Sequence, residues 1–225
     1  MDKTFSGVVD EAIQRTRRPG LVNDIVSYAN ATIRECQIKA LFARDLVEDV
    51  LTATSENYVW LHGTGLRVLR TAYYTNLDIW PKFIAPGRKQ GGESYYYYRG
   101  PTYYTFVGVA SGYTINVAYY RYLDRLKYYA SGSNPAYFDT EEFKWYYLQD
   151  DGTYADALAT TELEEAAVQA SSNWLLQDWF DLILEGTVAK IFKNQKDERD
   201  KSTYAQYKSY QSDLISGEAT DALDY

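Results

Sequence analysis

The sequence predicts an α+β protein: a helical bundle drawn from both chain ends, with an antiparallel β-rich lobe (a small sandwich or barrel) inserted between them. Three observations carry this. Apolar residues recur at helical steps of three and four up to Ala40 and again after Asn173. Between about Tyr58 and Tyr129 the texture changes to period-two alternation, punctuated by Gly and Pro. No apolar run approaches the roughly 20 residues needed to cross a bilayer, so the stripes read as core faces. The expected division is residues 1–41 and 160–216 for the bundle, 42–159 for the β-rich lobe, and 217–225 for a flexible acidic tail.

Each element follows from its pattern. Val8, Val9, Ala12 and Ile13 form a short helical stripe that stops at Arg17-Arg18-Pro19-Gly20. Val22, Val26, Ala29, Ile33, Cys36 and Ala40 then mark one face of a second helix. Cys36 lies on that stripe, which makes it a small buried apolar residue rather than a nucleophile. Phe42 to Thr54 fits two readings: Leu46, Val47, Val50 and Leu51 suit a helix, but the residues around Thr52 to Thr54 favour extended chain, and a strand entering the lobe is expected. Leu66, Val68, Arg70, Ala72 and Tyr74 alternate with Arg67, Leu69, Thr71 and Tyr73, and Tyr113, Ile115, Val117 and Tyr119 alternate with Thr114, Asn116, Ala118 and Tyr120. Ser94 to Arg99 and Thr102 to Gly108 flank Gly100-Pro101 as a hairpin, which puts Tyr95 and Tyr97 on one side of their strand and Tyr96 and Tyr98 on the other.

Residues 130–170 are transitional, with helical texture from Thr161 to Ala170. Asn173 is a suitable N-cap for the most apolar helix. Leu176, Phe180, Leu184, Val188 and Ile191 form one stripe of it, and Leu175, Trp179, Leu182 and Gly186 a second, so it belongs at the bundle centre. Gly186 there allows a neighbouring helix to come close. Asp197 to Ile215 reads as a last, polar helix with Tyr204, Tyr207, Tyr210 and Leu214 on one narrow face, a pattern suited to a groove on a partner.

Composition limits function. The chain has 225 residues, 46% hydrophobic and 24% charged, as in ordinary globular proteins. Its amino terminus lacks an apolar segment resembling a secretion signal, and its one cysteine excludes an internal disulfide, so a cytoplasmic site of synthesis is expected. A net charge of −8 argues against a protein that grips nucleic acid through a basic face, though not against one that surrounds a sliding duplex. The anomaly is 24 tyrosines, a residue enriched at protein interfaces and sugar-binding faces and also suited to half-wet strands.

The search for chemistry returns little. His62 is the only histidine, so any Ser/His/Asp triad would need it, and a structural role is expected instead. One His and one Cys make no transition-metal set. Gly63-Thr64-Gly65 is too short for a phosphate loop, and the sequon Asn30-Ala31-Thr32 lies on a helix. Asp45, Glu48, Asp49, Asp139, Glu141 and Glu142 could supply a glycosidase pair only by chance placement across a cleft. The expectation is a non-enzyme with no catalytic residues, metal or cofactor.

The order of these pieces resembles the head-to-tail adaptor (tail tubular A-like) proteins of tailed bacteriophages, in which a helical bundle is interrupted by a β-rich domain. The resemblance runs over nearly the whole chain. It is clearest in Phe42-Ala43-Arg44-Asp45-Leu46-Val47-Glu48-Asp49, Leu66 to Tyr74 and Ile84-Ala85-Pro86-Gly87-Arg88-Lys89, and again in Tyr95-Tyr96-Tyr97-Tyr98-Arg99-Gly100 and Asn173-Trp174-Leu175-Leu176. It implies a structural virion protein of the neck, assembled in the host cytoplasm as a homo-oligomeric ring, typically a dodecamer. Such a ring sits between the portal protein and the tail nozzle or tail tube protein, and DNA passes its channel without specific binding or any membrane contact. In that setting Tyr204, Tyr207, Tyr210 and Leu214 are candidate portal contacts. Tyr95, Tyr96, Tyr97, Tyr98, Arg67 and Arg70 are candidate contacts to neighbouring subunits or the tail. The large β insertion departs from the smaller all-helical connectors. The competing reading is a carbohydrate-binding or receptor-binding phage appendage, which would gather three or four aromatics in one groove, whereas a ring interface spreads them along both flanks.

Overall fold

The computed structural model describes residues 3–54, 58–62, 65–85, 94–126, 128–130, 136–139, 144–147 and 172–221. The chain is α+β, with helices at both ends and strands between. Its helices are α1 (Phe5–Thr16), α2 (Val22–Lys39), α3 (Trp174–Asp178), α4 (Phe180–Gln195) and α5 (Asp200–Glu218). Its strands are β1 (Leu41–Phe42), β2 (Leu46–Thr52), β3 (Tyr58–His62), β4 (Leu66–Tyr74), β5 (Lys82–Phe83), β6 (Tyr96–Arg99), β7 (Tyr103–Val107), β8 (Thr114–Arg121), β9 (Tyr128–Ala130), β10 (Ala136–Asp139), β11 (Lys144–Tyr147) and β12 (Ala219–Asp221). Contacts divide the chain into two compact units, Phe42–Tyr122 and the remainder, Met1–Leu41 with Leu123–Tyr225. The small antiparallel meander β9–β10–β11 therefore groups with the helices and not with the β lobe that the sequence predicts for residues 42–159. The expected helical texture at 161–170 lies outside the described residues.

In the helical unit, Thr4 caps α1 by accepting the Gly7 amide at 3.2 Å. Arg17 ends that helix in a left-handed conformation, and Pro19 opens the single 3-10 turn that leads into α2. Asn173 caps α3 as its sequence position predicts, accepting the Leu176 amide at 2.9 Å. The expected unbroken helix from Asn173 is in fact two. Trp179 leaves helical geometry at φ −123°, ψ 39°, and is only half-buried.

Beyond it, α4 is buried around most of its circumference and packs against α1, α2, α3 and α5. Gly186 sits where α2 and α5 come closest, since a Cβ there would meet Thr32 Cγ2 at 2.4 Å and the Tyr207 ring at 2.8 Å. Two charges on this central helix are paired: Glu185 accepts from Arg15 of α1, and Lys190 reaches Glu35 of α2 at 2.8 Å. Helix α2 also holds the chain that follows β8. Asn30 accepts the Leu126 amide at 2.8 Å and donates to the Leu126 carbonyl at 3.0 Å, and Gln37 accepts the Leu123 amide at 3.1 Å. At the carboxyl-terminal end α5 begins at Asp200 and runs to Glu218, and Ala219–Asp221 is extended, while residues 222–225 of the expected tail lie outside the described residues.

The second unit is a two-sheet sandwich, with strand orders β2-β8-β4 and β3-β7-β6-β5. Leu69, Ala72, Tyr74, Ile115 and Val117 of the first sheet share one core with Leu61, Tyr104 and Phe106 of the second. Two tyrosines tie the sheets together across that core. Tyr74 donates to the Val107 carbonyl at 3.0 Å, and Tyr104 accepts the Leu69 amide at 3.2 Å. Part of the tyrosine excess is thus spent on internal cross-sheet bonds.

The strict alternation read in β4 fails at its middle. Register shifts on β8 leave Arg67 and Arg70 as extra residues of two bulges, so Leu66, Leu69, Ala72 and Tyr74 face the core at a spacing of three, three and two.

Candidate functional site

The outward faces of the two sheets carry the features most unlike an ordinary surface. On the four-stranded sheet, Tyr58-Val59-Trp60-Leu61-His62 sends Val59 and Leu61 to the core and the three rings outward. Trp60 is 46% exposed and lies 4.6 Å from the Tyr58 ring and 6.1 Å from His62, and His62 lies 5.4 Å from Tyr103. Register places Trp60 beside Thr105 and then Tyr98, with Tyr58 beside Val107 and then Tyr96. Glycine at position 100 lets the Tyr103 ring fold close over the turn, since a Cβ there would meet that ring at 2.5 Å. The result is a continuous aromatic ridge.

The three-stranded sheet presents a groove instead. Val50, Asn116 and Tyr73 make one cross-strand row of its outward face, and Glu48, Ala118 and Thr71 make the next. After β4 the chain turns at Thr75–Asp78, with Asp78 left-handed at φ 55°. The turn is fastened at two points: Asn76 accepts the Thr114 amide at 2.7 Å, and the Tyr73 hydroxyl donates to Asp78. That bond to a carboxylate raises the Tyr73 phenol above its ordinary value. Trp80, 65% exposed, is thereby set 5.0 Å from the Tyr73 ring as a tilted wall. With Glu48, Asp49 and Val50 opposite, the concavity measures about 490 Å³.

The sequence-predicted contacts distribute differently from expectation. Tyr95 and Tyr97 pack against the lobe's own core, where burial raises the Tyr97 phenol. Tyr96 and Tyr98 share the ridge face, but Tyr96 is buried and Tyr98 half-buried. Arg67 is 7% exposed, its guanidinium 5.3 Å from the Tyr122 ring of the same unit, so it is not a free cation for a neighbour; Arg70 is exposed.

On α5, Tyr207 (1% exposed) and Leu214 are core residues facing the bundle, which corrects their reading as portal contacts. The narrow stripe is satisfied within the chain. Tyr207 donates to Glu35 at 3.0 Å and accepts from Gln211 at 3.0 Å, and burial pushes its phenol far up. Tyr204 remains exposed, and Tyr210 is half-buried. Tyr204 borders a small cavity of about 150 Å³ with Lys190, Lys193 and Lys208.

His62 is a ridge residue beside the Trp60 and Tyr103 rings, and Cys36 is fully buried with its thiol pushed up to about 11 by burial. Among the described residues, no group of three His, Cys, Asp or Glu is placed to hold a metal ion, and no helix is long and apolar enough to cross a membrane.

Tyr58, Trp60, Tyr103, Tyr73 and Trp80 were not singled out from sequence. The signal for the ridge was present in the alternation of ring and aliphatic residues in Tyr58-Val59-Trp60-Leu61-His62. Nothing local signals that Trp80 folds back over Tyr73. No protein-family model matches the chain, and no curated protein matches it by sequence. The fold and surfaces define an α+β protein whose two-sheet lobe carries a different aromatic face on each sheet.

Proposed function

We propose that the chain is a structural virion protein, the head-to-tail adaptor of a tailed phage, assembled as a ring between portal and tail that gives a channel for genome passage. The observation that carries this reading is the pair of unlike aromatic faces, ridge and groove, on the two sheets of one lobe. A closed ring built head to tail needs two different patches on every subunit, whereas a twofold dimer needs one patch that matches itself. A monomer would gain nothing from either face, because exposed aromatic patches invite association. The layout of helical ends around a β insertion supplies the phage setting by resemblance. The net charge of −8 suits a lumen that does not hold DNA.

Division of the aromatics between two faces favours assembly over the carbohydrate-binding reading, since among the described residues only two aromatics, Tyr73 and Trp80, line the groove. In this reading Tyr204 is the exposed aromatic of α5 left for the portal.

The test is particle mass in solution, alone and after addition of a purified portal ring. A portal ring that gains a stoichiometric set of chains supports the reading. A portal ring whose mass is unchanged at saturating chain refutes it.

A further inference from the structure

We propose that the groove and the ridge are the two halves of one interface, and that the groove's occupant is the aromatic ridge of a second copy of this chain. The proposal rests on the multi-copy reading above and names the surfaces that it uses.

Three features point to this occupant. The first is charge. Glu48 and Asp49 border the groove, while the described residues of the ridge face, from Lys82 through Tyr96, Tyr98, Tyr103 and Thr105 to Tyr58, Trp60 and His62, include no carboxylate. On a chain of net charge −8 that is the kind of face an acidic groove can accept from another copy without like-charge repulsion.

The second is shape. The ridge projects Trp60 between Tyr58 and His62, and the groove offers a concavity whose wall, Trp80 against Tyr73, is itself aromatic. Tryptophan and tyrosine are among the residues enriched at interface hot spots, where they fill well-packed pockets. The third is exposure. Trp80, Val50 and Trp60 stand out in solvent on the single chain, so burying them strains nothing already packed. Because the halves differ and lie on different sheets, each copy can give its ridge to one neighbour and its groove to another, and the contact propagates until the ring closes.

The experiment uses complementation between two variants of the full chain. Trp80→Ala damages the groove and Trp60→Ala the ridge. Val50→Lys and Tyr58→Ser serve as independent second lesions on each side, and circular dichroism confirms that all four fold. Masses are read by sedimentation over a concentration series.

The expected result is that the parent assembles beyond a dimer and that each variant alone stays monomeric. An equimolar mixture of groove and ridge variants should stop at twice the monomer mass, because one intact groove meets one intact ridge. Several results overturn the proposal: a parent that is monomeric at every concentration, variants that assemble like the parent, or a mixture that gives no dimer. Saturable binding of a soluble oligosaccharide such as cellohexaose by the parent, lost in Trp80→Ala, assigns the groove to a sugar and also overturns it. Portal binding by a chain that fails these tests would leave the adaptor reading standing while removing this interface.

Discussion

Gly186→Ala sets two opposing effects against each other on the central helix. In an exposed helix interior, alanine is preferred over glycine by about 1 kcal/mol. Here the added Cβ would lie 2.4 Å from Thr32 Cγ2 and 2.8 and 2.9 Å from two atoms of the Tyr207 ring. Comfortable carbon contacts begin near 3.5 Å, so a neighbouring helix must retreat by about 1 Å. Neither neighbour can swing aside freely. Thr32 is fully buried, donates to the Tyr28 carbonyl at 2.8 Å and accepts from Lys190 at 3.2 Å, while Tyr207 is held by Glu35 and Gln211. Overpacking of this kind costs about 1–3 kcal/mol, and with the propensity gain of about 1 kcal/mol subtracted the variant should be less stable by up to roughly 2 kcal/mol. For a chain of this size that is a fall of up to roughly 8 °C in Tm.

Urea denaturation followed by the helical circular-dichroism band reads the difference directly. Adding Thr32→Ser, which deletes Cγ2 and keeps the hydroxyl, should restore part of the loss, and the double-mutant cycle should show positive coupling. A Gly186→Ala chain as stable as its parent would refute the close-approach argument.

Tyr74→Phe should cost the β lobe about 1 kcal/mol, because it removes the buried hydroxyl bonded to the Val107 carbonyl, and near-ultraviolet dichroism on denaturation measures it. The same hydroxyl and that of Tyr207 bear on alkaline stability. Burial raises both phenols in the folded chain, so the folded state keeps these protons while the unfolded chain begins to release them at the ordinary value of about 10. Stability is therefore full below that pH and falls above it, and a spectrophotometric tyrosine titration should show these two groups ionising only on unfolding. Cys36, fully buried and with its thiol near 11, should resist a disulfide-exchange reagent at neutral pH until denaturant is added.

What the sequence made legible follows how locally each feature is encoded. The stripe of α2, the break at Arg17-Arg18-Pro19-Gly20, the Asn173 cap and the hairpin about Gly100 depend on near neighbours, and all are found in the structure. The failures are non-local. Arg67 and Arg70 look like ordinary members of an alternating strand, and only pairing with β8 reveals them as bulge residues. The Tyr207 and Leu214 stripe resembles a surface for a partner because α5 is otherwise polar. Its partners are Glu35 of α2, 172 residues away in sequence, and the flank of the preceding helix α4 at Gly186. The groove was illegible for the same reason. Its residues come from β2, β4, β8 and the turn after β4, and none is unusual where it stands in sequence.

The bulged strand has a geometric consequence. In the ladder they share, the nine residues of β4 run alongside only seven of β8, from Ile115 to Arg121. Two rails of unequal length, tied at both ends, cannot stay straight. The excess of two residues, about 7 Å of extended chain, has to be absorbed as an arc, as the outer rail of a curved track is longer than the inner. Arg70 supplies half of that excess immediately before Thr71, which lies on the groove floor. Deleting Arg70 would leave every core-facing residue of β4 on its own side while bringing the rails nearer to equal length. The lobe would keep its interior and lose part of the bend beside its groove.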